Sequence, residues 1–133
     1  PDERPVLVDP ADGKAIWTGP EGFHPIGVTG QVVVGRDSRN DNTVVAYHLS
    51  GPRRMWKAPD PGAIRPEADT VVPGYAILND GIHELWTYQL KTGNKLRCEG
   101  GNRVIGAGDG WMIAGLKGDG PDGGRYALRY FKL

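Results

Sequence analysis

Short apolar runs return about every 40 residues along this chain of 133. Aligned on Val6-Leu7-Val8-Asp9, Val44-Val45-Ala46-Tyr47, Leu85-Trp86-Thr87-Tyr88 and Tyr126-Ala127-Leu128-Arg129, the corresponding residues Leu7, Ala46, Thr87 and Ala127 are separated by 39, 41 and 40 positions. After each of the first three comes a tight turn and a second run: Asp12-Gly13-Lys14-Ala15-Ile16-Trp17, Ser50-Gly51-Pro52-Arg53-Arg54-Met55-Trp56 and Thr92-Gly93-Asn94-Lys95-Leu96-Arg97. β-branched and aromatic residues fill the runs, and Gly, Asn, Asp and Ser fill the connections, as strands and their turns require. No window holds a 3.6-residue apolar rhythm, so helices are not expected. A strand-built repeat of this length predicts an all-β chain of β-propeller blades, each a four-stranded antiparallel sheet.

The blade repeats fall at about 20–57, 63–98 and 102–133 within a single repeat domain spanning 1–133. Residues 5–18 supply the last two strands of a further blade. That makes about three blades, whereas propellers have about four to eight. The chain is therefore predicted to be a partial propeller, half of a six-bladed ring. A second copy of itself, or the rest of a longer propeller, would complete it. The competing reading is a small barrel or sandwich with accidental periodicity. The 21 glycines and 11 prolines suit the many turns that either would need.

Charge narrows the partners. Lys plus Arg and Asp plus Glu are both 16, without the basic excess of a nucleic-acid binder. No apolar stretch approaches the roughly 18 residues of a membrane-spanning helix, so no membrane insertion is expected. Cys98 is the sole cysteine, which excludes an internal disulfide or a multi-cysteine metal site.

The turn segments carry a resemblance. Val8-Asp9-Pro10-Ala11-Asp12-Gly13-Lys14-Ala15-Ile16-Trp17 is similar to the repeat of pyrroloquinoline-quinone-like β-propellers, which runs roughly Ala-Leu-Asp-x-x-Thr-Gly-Lys-x-x-Trp. Tyr88 to Arg97 resembles the same element, with Thr92-Gly93 kept and Arg97 at the Trp position. In the middle copy Trp56 fits, but Gly51-Pro52 stands one position off. The resemblance implies that the turn glycine allows a positive φ and that Trp17 and Trp56 pack between adjacent blades; Trp86 is expected to be buried as well. It also covers quinone-dependent dehydrogenases, which need eight blades, a vicinal cysteine pair and a calcium site. This chain has one cysteine and too little length, so no cofactor is expected. The non-enzymatic branch, found outside the cytoplasm or secreted, is the better match.

The remaining chemistry is sparse. His24, His48 and His83 lack the short spacing of a zinc site, and no metal ligand set is expected. Asp37 to Asn42 is rich in oxygen donors, but Arg39 interrupts it and the calcium-loop spacing is absent. The glycine-rich segment from Lys117 to Gly124 opens no helix, so it reads as a loop rather than a phosphate cradle. Arg53, Arg54 and Trp56 form a small basic-aromatic patch suited to an acidic partner. Loops between blades would line any central funnel, and there Arg65, Glu67 and Arg103 are the candidate ligand-binding residues. No catalytic residue is assigned. The expected function is a non-catalytic module for protein–protein interaction or self-assembly; the alternative is an enzyme or small-ligand binder using the funnel.

Overall fold

A Val-rich run between tight turns can satisfy its backbone only by pairing with its neighbours, and every described strand does so. The computed structural model describes residues 4–39, 43–51, 53–61, 69–79, 85–98, 103–117 and 126–133. These contain thirteen strands and no helix. β1 (Val6–Val8) and β2 (Ala15–Thr18) form a hairpin. β3 (Phe23–Thr29), β4 (Val32–Asp37), β5 (Thr43–His48) and β6 (Arg54–Pro59) form a four-stranded sheet in chain order. β7 (Thr70–Val72), β8 (Tyr75–Asn79), β9 (Leu85–Gln89) and β10 (Lys95–Cys98) form a second. β11 (Arg103–Gly108), β12 (Trp111–Lys117) and β13 (Tyr126–Lys132) form a three-stranded sheet. All pairs are antiparallel. The strands divide between two units, Pro1–Asp60 and Pro61–Leu133.

The repeat extends to individual hydrogen bonds. The amides of Leu49, Leu90 and Leu133, each just beyond a third strand, donate to the carbonyls of Gln31, Gly74 and Gly110, each in the turn before a second strand. Gly13 and Gly93 sit at matching points of the next turn with φ of 72° and 74°. Each donates to a residue four positions back, Asp9 and Gln89, at 2.7 Å. Only glycine adopts this left-handed conformation without penalty, which is why the turns carry it. The hairpin and the first full sheet also share a bulge. Leu7 pairs with Trp17 and Val8 with Ala15, skipping Ile16; Ala46 pairs with Trp56 and Tyr47 with Arg54, skipping Met55.

Two details of the expected alignment shift. The three leucine amides make Tyr130, not Ala127, the counterpart of Ala46 and Thr87. The alternation Tyr-Ala-Leu fits either register, and only the pairing of β12 with β13, Ile113 opposite Tyr130, fixes it. The bulge is missing between β9 and β10, so Leu96 rather than Arg97 stands opposite Thr87.

Side chains alternate across each strand, giving every sheet a front and a back face. In the first unit, Leu7 and Trp17 on the back of the hairpin pack on Phe23, Val33, Val45 and Tyr47 on the front of the next sheet. Trp17, Phe23 and Tyr47 meet ring to ring at 5.2–5.7 Å, two of the three pairs edge to face. In the second unit, Val72, Ile77 and Leu85 on the back of one sheet pack on Met112 and Ala114 on the front of the following one. Both junctions are back on front. β4, β5 and β8 are buried on both faces, with Val33, Val34, Val44, Ala46, Ile77 and Leu78 fully enclosed.

Candidate functional site

Among the described residues, the hairpin and the β11–β13 sheet each present a face with exposed apolar or aromatic side chains. On the hairpin, Val6, Val8 and Ile16 are 50%, 52% and 54% exposed. Val6 and Val8 face away from Trp17, on the front. Their counterparts one repeat later are Val45 and Tyr47, which are enclosed at 1% and 8%. Sequence position and register are the same; only the covering layer differs.

The back of the last sheet is the mirror of this case. Trp111 pairs with Gly108 and Lys132, and Ile113 with Gly106 and Tyr130, so these three large side chains share a face. A Cβ on Gly108 would come within 2.7 Å of the Trp111 indole, so the ring lies flat on the strand where glycine leaves room. Tyr130 is 63% exposed, whereas its counterpart Thr87 is buried. Trp111 and Ile113 are half-buried. Of their counterparts, Ile77 is fully buried in the second core cluster and Tyr75 packs against it, partly buried.

A shallow cavity of about 260 Å³ opens beside the first junction, lined by Arg4, Trp17, Thr18, Gly19, Pro20 and Tyr47. Its wall is closely packed: a Cβ on Gly19 would strike the Trp17 ring at 2.5 Å. The volume falls below the roughly 300–1,000 Å³ of sites that enclose a small molecule. No histidine, cysteine or carboxylate lines it among the described residues. Tyr47 is held protonated: burial raises its pKa and nearby Asp37 adds to the rise, while Arg54 and Arg39 oppose it. Asp37 is itself buried and accepts the Arg39 amide at 3.0 Å, with the Arg39 Nε 3.6 Å away.

The residues singled out from the sequence scatter. Arg65 and Glu67 lie outside the described residues, as does His83. Arg103 is the first residue of β11, opposite Gly115. Arg53 and Arg54 are exposed, but Trp56 is only 8% exposed. The bulge at Met55 puts Arg54 opposite Tyr47 and Trp56 opposite Ala46, on the other face. The basic-aromatic patch is thus divided between two faces, with its aromatic member buried. Trp86 was expected to be buried like Trp17 and Trp56. It is half-buried instead, with the Lys95 Nζ 4.1 Å above its ring. His24 meets the Ser38 hydroxyl at 3.3 Å, and the His48 Nδ1 meets Ser50, so each is engaged locally. Arg36 donates to Asp60 at 2.7 Å, tying the chain beyond β6 to β4.

No family model matches this chain, and no curated protein matches it at a significant level.

Proposed function

We propose that this protein is a non-catalytic β-propeller module whose end sheets bind another protein. The observation that carries the reading is the pair of uncovered faces: Val6 and Val8 are bare where Val45 and Tyr47 are enclosed. Apolar patches of this kind on soluble proteins mark interaction surfaces. Strands joined in chain order and faces packed back on front support propeller-type stacking. The turn segments resembling pyrroloquinoline-quinone-like repeats point the same way.

The test is whether the faces seek cover. Anilinonaphthalene sulfonate, a dye that lights up on exposed apolar surface, should bind the dilute protein. Replacing Val8 and Ile16 by Asp should reduce the signal while leaving the melting temperature nearly unchanged, because both side chains are about half exposed. A protein that neither binds the dye nor associates at any concentration would sink the reading.

A further inference from the structure

We propose that the partner is a second copy of this chain, docked head to tail. Trp111, Ile113 and Tyr130 on the last sheet of one copy cover Val6, Val8 and Ile16 on the first hairpin of the next. This rests on the binding reading above and names its partner.

Three observations select this occupant. Both junctions inside the chain join a back face to a front face. An uncovered back face calls for a front face, and each copy carries one of each kind. Like-to-like docking would place front on front, an arrangement neither internal junction uses.

The chemistry of the two faces also matches an existing junction. At the first junction a back-face indole, Trp17, meets the branched side chains Val33 and Val45 and the ring of Tyr47. In the proposed contact a back-face indole, Trp111, meets Val6, Val8 and Ile16. A flat aromatic on branched aliphatics buries a large area with little loss of side-chain freedom. Finally, acidic and basic residues balance at 16 each, so copies approach without net repulsion. The contact joins unlike surfaces, so it either closes into a ring or grows.

Unlike surfaces give the test its form. Ile16→Asp disables the front face and Tyr130→Asp the back face, each at an exposed position where folding should survive. Circular dichroism checks that it does. Val8→Lys and Ile113→Lys serve as a second pair. In sedimentation velocity at high micromolar concentration the parent should exceed single-chain mass. Either variant alone should weaken association about ten-fold or more. Mixed together, the two should restore a dimer, because the sound back face of one meets the sound front face of the other.

A monomeric parent, or variants that associate as the parent does, would overturn the proposal. So would a mixture that stays monomeric; like-to-like docking would instead leave one of the two variants associating on its own as the parent does. A monomer that still binds the dye overturns the second copy alone and leaves the binding reading standing. A monomer without dye binding removes both.

Discussion

Trp17 and Gly35 illustrate how single residues hold this protein together. Trp17 joins the hairpin to the first full sheet through two aromatic contacts. Trp17→Ala should cost about 3–5 kcal/mol, read as a lower urea midpoint, since a large ring leaves a packed site. Gly35 has the Phe23 ring stacked on it, and a Cβ there would come 2.4 Å from the His24 carbonyl oxygen. Gly35→Ala should therefore destabilise more than Gly13→Ala. At Gly13 space is open and only the positive φ resists, a cost of about 1–2 kcal/mol. Equal costs in parallel denaturation curves would contradict this. Tyr47 adds a pH signature. Its folded pKa is raised above the ordinary value of about 10, so the stabilisation is complete below pH 10 and is lost as pH rises through the folded value. Tyr47→Phe should lose less stability between neutral and strongly alkaline pH than the parent does. The burial of Trp17 and Trp56 is what the resemblance of their turn segments implies. The expectation failed at Trp86, where sequence cannot tell a ring under a neighbouring sheet from one under a lysine.

At the scale of the strands, position within the sheet decides protection. β5 lies between β4 and β6 with both faces enclosed, whereas its counterpart β1 has one partner and a bare face. Hydrogen exchange should be slowest in β5 and far faster in β1. Similar rates in both would mean the hairpin has cover that the structure lacks. Strand boundaries were readable because Gly, Asn and Asp punctuate them. The register was less so: the bulge at Ile16 and Met55 inserts a residue without any mark in the composition. That one insertion separates Arg54 from Trp56, so a patch contiguous in sequence falls on two faces. The slip at β13 has a related origin, since Tyr-Ala-Leu alternates equally well in two registers and only its partner strand chooses.

For the whole molecule, the all-β class and the antiparallel sheets followed from the 40-residue repeat. The uncovered faces did not, because Val6-Leu7-Val8 and Val44-Val45-Ala46 look alike in sequence and differ only in what lies beside them. Each unit has its own apolar cluster, so damage in one should register there first. Met112→Ala opens a cavity in the second cluster and should cost about 2–5 kcal/mol. Its exchange rates should rise in β7–β9 and β11–β12 before the hairpin responds; a uniform rise would argue against separate clusters. The strand order itself has a further implication. Among the described residues every strand pairs with its neighbour in the chain, so none of these waits for a distant segment to be synthesised. As a ribosome delivers the chain, each sheet can zip shut when its last strand emerges, and loop closure stays short at every step. Each sheet can thus form from its own short stretch of chain without help from the others.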